Sequence, residues 1–552
     1  MKQMKLTIYQ ALPRLFGNKT PHPVPNGTLE ANCCGKLSDF TGEILKNIHQ
    51  SGFSHIWYTG LLEHATQTDY SAFGIPHDHP AIVKGKAGSP YAIKDYYDID
   101  PDLADSIPDR MTEFEALVRR THQAKLKMII DFVPNHVARE YRSDAKPTGT
   151  EDLGASDHTR TTFSSDNNFY YLPGQVFSPD FDLSDEKGNT YEEFPAKATG
   201  NDCFSSSPCR NDWYETVKLN YGVDYLNGGK KHFSPIPDTW QKMLDILLFW
   251  AGKHIDGFRC DMAEMVPVEF WGWAISQVKQ QHPGVIFIAE VYNPSQYRNY
   301  LFTGKFDYLY DKVGLYDTLR AVMTGHAATG TITHCWQSVN DILPNMLNFL
   351  ENHDEQRIAS DFFAGNPYKG RPALAVSALM STNPLMVYSG QEWGERGMDA
   401  EGFSDCDGRT TIFDYWSIPV FRTGFVDKKE DLCRYYTQIL HLCRQRPAIH
   451  SGKFFDLMYV NPDLAHKQYA FLRYAENELL LVVANFDEER VDLNIFIPAH
   501  AFDSFGISDC FNGKAEELLT KRNCAAALHK DAFYPVRVEA LNAVVICFPK
   551  KY

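Results

Sequence analysis

The chain has 552 residues, 43% of them hydrophobic and 22% charged, the balance of an ordinary globular protein long enough for more than one domain. A formal net charge of −16 argues against nucleic acid and anionic membranes as partners, because both are polyanions. No run of about 18 apolar residues occurs, so no membrane-spanning segment is expected. The first ten residues lack the apolar core of a signal peptide and read as a strand. The 12 cysteines are scattered, without zinc spacing, and read as small buried side chains in a reducing cytoplasm; Cys203 and Cys209 are close enough to pair only in an oxidising one.

In chain order, residues 5–12 form a strand that stops at Pro13, and a helix is expected over Phe40–Ser51 with Ile44, Leu45 and Ile48 on one stripe. Gly52–Gly60 is a second strand. A helix begins near Thr112, where Thr112 and Glu115 have capping-box spacing, and leads into the apolar strand Lys127–Val133. Strand, helix, strand is the rhythm of a parallel sheet covered by helices. From 137 to 232 the rhythm breaks into a polar segment too long for a plain loop, read as an inserted subdomain. It resumes at Thr239, where Trp240, Met243, Leu244, Leu247 and Ala251 fall at helical spacing. Further strands follow at Val285–Ala289, Phe306–Tyr310, Met346–Leu350 and Leu385–Tyr388. From about 454 the pattern is all strand.

The stretch Ile255–Asp261 is a short buried strand ending in a carboxylate. Alternation puts Arg259 and Asp261 on one side and Cys260 on the other. The guanidinium is placed to keep Asp261 ionised and to aim it. A purely structural ion pair would give the same pattern, and spacing alone leaves both readings open.

The strand count to Tyr388 is eight, which predicts an α/β fold: a TIM (β/α)8 barrel with an irregular B subdomain inserted after the third strand and a C-terminal all-β sandwich. The expected boundaries are 1–136 and 233–453 for the barrel, 137–232 for the insertion and 454–552 for the sandwich. Catalytic residues of such barrels sit at the C-terminal ends of strands. Asp261 closes the fourth strand, Glu290 the fifth, and Asp354 follows the seventh. Three carboxylates on one rim, moderated by Arg259, suit glycosidic bond cleavage through an oxocarbenium-like transition state.

Four blocks carry a resemblance: Asp131-Phe132-Val133-Pro134-Asn135-His136, Gly257-Phe258-Arg259-Cys260-Asp261, Ile288-Ala289-Glu290-Val291 and Glu351-Asn352-His353-Asp354. In this order and on these strands the sequence resembles the α-amylase family of glycoside hydrolases, family 13. The resemblance implies a retaining hydrolase of α-glucosidic bonds in starch-derived glucans or maltodextrins. Asp261 would be the nucleophile, Glu290 the acid/base and Asp354 a hydrogen-bonding partner of the −1 glucose. Arg259 would orient Asp261, His136 and His353 would donate to the same glucose, and Tyr91 would offer a stacking face. Trp213, Tyr214 and Trp393 are better read as packing than as sugar platforms. No cofactor is required for this chemistry, although Asn135 matches a family calcium ligand and a structural Ca2+ could sit there.

Two departures matter. Ala92 stands where exo-acting members carry Asp after the tyrosine, which counts against a strict exo-α-glucosidase. Glu264 and Met265 replace a Lys-His pair, which leaves the usual leaving-group subsites and the usual calcium site in doubt. A transglycosylase on the same scaffold is the alternative. A non-enzymatic barrel relative would lack the three carboxylates.

Overall fold

The computed structural model describes residues 5–422, 430–475, 478–507, 515–524 and 527–549. Its centre is an eight-stranded parallel sheet: β1 (Thr7–Ala11), β2 (His55–Tyr58), β3 (Lys127–Phe132), β4 (Gly257–Cys260), β5 (Ile286–Ala289), β6 (Tyr308–Tyr310), β7 (Met346–Leu347) and β8 (Leu385–Tyr388). Neighbours follow chain order from β1 to β7, and β8 pairs with β1. The last gap is bridged by Asn348, whose N–H donates to Pro384 O at 3.0 Å and whose carbonyl accepts from Met386 N at 2.9 Å. The sheet therefore closes into a barrel, which removes its edges.

Two apolar layers follow from strand alternation. Ile8, Trp57, Ile129, Ile288, Tyr310, Leu347 and Met386 point inward from seven strands and fill the barrel. Phe258 and Cys260 of β4 point outward into the larger core under the helices. Gly257 and Arg259 are left on the inner side, so Arg259 is a charged residue in the barrel's own filling.

The helix after β1, Gly42–Gln50, is capped by Thr41, whose hydroxyl accepts from Ile44 N at 3.3 Å. The helix before β3 spans Arg110–Gln123, two residues ahead of the Thr112 start read from spacing. Thr112 is therefore inside the helix and makes no capping box. Glu113 does the equivalent work, accepting from Asp105 N at 2.9 Å and Ser106 N at 2.7 Å. Asp238–Gly252 leads into β4, burying Trp240, Met243, Leu244, Leu247 and Ala251 as expected. Fully burying one such side chain is worth roughly 1.5–3 kcal/mol.

Between β3 and that helix lie only short strand pairs and one 3-10 turn, Tyr225–Asn227. His136–Ala138 runs antiparallel to Thr216–Lys218, with His136 opposite Lys218, so the long excursion leaves and returns side by side. After the barrel, a six-stranded antiparallel sheet and a two-stranded pair, Val491–Ile497 with Ala532–Val538, share the main apolar core. Cys203 and Cys209 are free thiols, so the pairing considered above is not made.

Candidate active site

Arg259 is the hub. It is 1% exposed, and its Nη1 lies 2.7 Å from Asp261 Oδ1. Its Nη2 lies 2.9 Å from Glu290 Oε2, a close ion contact that lacks hydrogen-bond alignment. Its Nε donates to the Tyr310 hydroxyl at 3.1 Å, and its plane lies over the rings of Trp57, Tyr91 and Tyr310 at 5.2–5.6 Å. Arg259 therefore does more than aim one carboxylate: a single guanidinium serves both Asp261 and Glu290.

Strand register explains the convergence. Arg259 pairs with Asp131 on one side and Ile288 on the other, and Asp261 and Glu290 lie just beyond the paired residues of β4 and β5. Asp261 N donates to Phe132 O at 2.9 Å and Glu290 N to Cys260 O at 3.2 Å, which carries the parallel ladder to the rim. Glu290 Oε2 also accepts from Met262 N at 2.9 Å, and the Tyr292 hydroxyl donates to Oε1 in a short contact.

The third carboxylate arrives with His353. His353 Nδ1 lies 2.8 Å from the Gln10 amide nitrogen, a donor, so Nδ1 accepts and Nε2 carries the proton. Nε2 faces the Tyr91 hydroxyl at 2.6 Å and Asp354 Oδ2 at 3.1 Å. The Tyr91 and His353 rings stack at 5.3 Å, and Trp57 meets His353 edge-on at 5.6 Å. Behind this loop, Arg357 donates to Glu351 Oε2 at 3.0 Å and Ser389 O at 3.1 Å, while Asn352 Oδ1 accepts the N–H groups of Asp354 and Glu355 at 2.9 Å. His136 is buried, close to the backbone of Tyr91, with the Trp213 ring 5.4 Å away. Tyr214 packs against Phe181 instead.

The electrostatics differ from a simple ion pair. Burial pushes Asp261 well above the ordinary carboxylate range, Arg259 opposes this, and the nearby Glu290 adds to it. One buried cation is shared among several acids, Asp261, Glu290 and Asp131. Asp354 is raised to about 7, chiefly by burial and by Glu290, although a third of its side chain meets solvent. Asp131 is raised to about 6, mainly by burial. His136 is lowered to about 3, and His353 falls well below its usual range, both chiefly by burial, so both imidazoles are neutral near pH 7. Neutral imidazoles can donate one hydrogen bond each without adding charge.

Residue-by-residue reading of the sequence missed four members of this site. Asp131 accepts from Gly60 N at 2.9 Å and lies 3.8 Å from Arg259 Nη1. Its pairing opposite Arg259 in a parallel barrel is the signal that could have found it. Tyr310 shares the barrel's inner layer with Arg259. Tyr292 and Glu264 belong to loops, where no periodicity points.

Asn135 does not fit a calcium site. Its Oδ1 accepts from Lys218 Nζ at 2.7 Å, and its Nδ2 donates to Gly200 O at 2.7 Å. Lys218 is 1% exposed and also meets Asp202 Oδ1 at 2.5 Å. An ammonium thus occupies the oxygen that a cation would need, and no cluster of three acidic, histidine or cysteine ligands is present among the described residues. Among those residues, no helix is long and apolar enough to cross a membrane.

An eight-stranded βα barrel whose rim gathers Asp261, Glu290 and Asp354 around one arginine defines the class: an α/β barrel with a carboxylate site at the C-terminal ends of its strands. The profile of the α-amylase catalytic domain matches residues 10–433, so the chain belongs to the α-amylase family. It is 23% identical over 427 residues to α-amylase 2 of Dictyoglomus thermophilum, covering 75% of this chain and 61% of that protein. It is 21% identical over 521 residues to neopullulanase 2 of Thermoactinomyces vulgaris, covering 92% and 73%. The chain thus spans only about three-fifths of the length of the Dictyoglomus relative. Among solved structures, the α-amylase of H. orenii superposes with a TM-score of 0.65 at 17% identity over 100% of both chains. A maltogenic α-amylase of Thermotoga neapolitana superposes with 0.63 at 19% over 99% of both. At these identities the structural likeness is one of fold.

Proposed function

We propose that the protein is a retaining glycoside hydrolase that cleaves α-glucosidic bonds in starch-derived glucans or maltodextrins. The observation that carries this reading is the shared guanidinium: Arg259 touches Asp261 at 2.7 Å and Glu290 at 2.9 Å, and Asp354 lies on the same rim, 3.1 Å from His353. A retaining reaction needs two carboxyls that close together, one to attack and one to protonate. In the first half, Asp261 forms a bond to the anomeric carbon as the glycosidic C–O bond breaks, and the proton of Glu290 goes to the leaving oxygen. In the second, water attacks the glycosyl-enzyme, Glu290 takes its proton back and Asp261 is released. Asp354 and the neutral His136 and His353 hold the hydroxyls of the sugar in the −1 position, and Tyr91 stacks on its face.

The named relatives, an α-amylase and a neopullulanase, support the substrate class. The test is turnover of maltooligosaccharides. Asp261→Asn and Glu290→Gln should each abolish it in folded protein, and a mechanism-based fluorosugar should label Asp261. Near-wild-type turnover in either variant, or a label elsewhere, refutes the assignment.

A transglycosylase reading is kept open by one observation. Over 57 residues the chain is 42% identical to an α-1,4-glucan:maltose-1-phosphate maltosyltransferase of Cereibacter sphaeroides, 10% of either chain. Products longer than the substrate mark transfer, and shorter products alone mark hydrolysis.

A further inference from the structure

We propose that Glu264 is a positioning residue that sets the acid/base carboxyl by clamping the backbone just beyond it. The proposal rests on the assignment of Glu290 given above. Glu264 lies three residues after Asp261, on the turn Ala263–Met265 that follows β4. Its Oε2 accepts from Tyr292 N at 2.8 Å and Asn293 N at 3.0 Å, the two N–H groups that follow the Glu290-Val291 pair. Glu290 in turn is gripped from both loops: Met262 N, two residues before Glu264, donates to its Oε2 at 2.9 Å, and the Tyr292 hydroxyl donates to its Oε1. The turn carrying Glu264 is itself held by the Tyr300 hydroxyl, which donates to Glu264 O at 3.0 Å and Val266 O at 2.9 Å.

Each link has one purpose in common. Two loops from adjacent strands are sewn together on either side of Glu290, and the seam is a carboxylate accepting two N–H donors, a strong charge-assisted arrangement. Glu264 stands where the family resemblance would place the first residue of a Lys-His pair. Here that position faces the neighbouring loop's backbone. Tyr292, anchored by Glu264 through its N–H, then uses its hydroxyl to fix the Glu290 carboxyl.

Proton donation is sensitive to such placement, since a shift of about 1 Å can cost roughly 100-fold. The defect in kcat/KM, which reports formation of the glycosyl-enzyme and not its hydrolysis, should appear only when the leaving group needs a proton. Glu264→Ala should lower kcat/KM on maltotetraose by roughly 30-fold, a part of the roughly 10²- to 10⁴-fold that general acid catalysis contributes. On α-maltosyl fluoride, whose leaving group departs with little protonation, the same variant should lose less than about threefold in kcat/KM. Glu264→Gln keeps an oxygen that accepts both N–H groups and should restore most of the maltotetraose activity. Tyr292→Phe, which keeps the ring and the backbone clamp, should show the same selectivity for leaving group. An equal loss on both substrates, or no loss on either, overturns the proposal. Should Glu264→Ala fail to fold, Glu264→Ser, whose hydroxyl is too short to reach both N–H groups, decides by the same ratio of activities. A wild-type protein inert on both substrates would instead refute the hydrolase reading beneath it.

Discussion

Replacing Arg259 by lysine isolates the value of one shared guanidinium. The fork now reaches Asp261 at 2.7 Å and Glu290 at 2.9 Å while its Nε binds Tyr310 at 3.1 Å. A lysine ammonium is a single point charge on an unforked stem, and from this strand it can serve one of those carboxylates. Losing one charged hydrogen bond removes about 1.5–3 kcal/mol. If that loss falls on the transition state, kcat/KM drops by roughly 10- to 150-fold. Arg259→Met goes further and leaves Asp131, Asp261 and Glu290 buried with no cation among them. Breaking a buried charge cluster in this way costs about 3–5 kcal/mol unless the acids take up protons. The sign of the pH effect follows. Asp261 is already raised above its unfolded value, and losing the cation raises it further. Between the unfolded and folded values the native state binds more protons, so stability falls as pH rises through that window. The melting temperature of Arg259→Met should therefore trail the wild type far more at pH 8 than at pH 5. Steady-state kinetics on maltotetraose and thermal melts at the two pH values measure both effects. An Arg259→Lys variant within about threefold of wild type, or a melting deficit in Arg259→Met that ignores pH, would show that the guanidinium is not the shared charge.

The acidic limb of kcat/KM should have a midpoint nearer the value of about 7 reached by Asp354 than the 3.8 of a free aspartyl group, because turnover needs ionised carboxylates; a midpoint near 4 contradicts this. Chelation should leave the melting temperature unchanged, since Lys218 already fills the Asn135 oxygen, and a calcium-dependent rise would overturn that view. Lys218→Met should cost about 1–3 kcal/mol by stranding the Asn135 carbonyl, measured by urea unfolding, and an unchanged midpoint would deny the contact its role. Gly257→Ala should destabilise by about 1–3 kcal/mol, because the new Cβ would lie 2.6 Å from Ile286 Cγ1 and 3.0 Å from Ile286 O; undiminished stability would mean that β4 and β5 do not pair in this register.

Where local pattern decided the outcome, the sequence was legible. Alternation along 257–261 put Phe258 and Cys260 outward and Arg259 and Asp261 inward, because side chains on a strand have a period of two. Helical spacing gave the buried face of Asp238–Gly252 for the same kind of reason. The ends of elements were less legible. β7 stops at Leu347, since Asn348 turns its backbone to Leu385 and Phe349 then joins the barrel's inner cluster. At Arg110 the chain was already turning through Ile107–Asp109, so the Thr112–Glu115 spacing had no helix start to cap. Neither Glu264 nor Tyr292 announces its role locally, because the role exists only where two loops meet.

What no local pattern can carry is the sharing of charge. An arginine two residues before an aspartate reads as a pair, yet register between β4 and β5 adds Glu290 to the same guanidinium, and β3 adds Asp131 at 3.8 Å. On the proposed mechanism this sharing links the two halves of the reaction. Arg259 Nη2 faces Glu290 without hydrogen-bond alignment, whereas Nη1 is well bonded to Asp261. A Glu290 that takes up a proton and turns to the leaving oxygen gives up the weaker of the two contacts. The cation then serves Asp261 more fully, and Glu290, now neutral, no longer raises it. The step that readies the acid therefore also favours the ionised nucleophile, which a dedicated arginine–aspartate pair could not do.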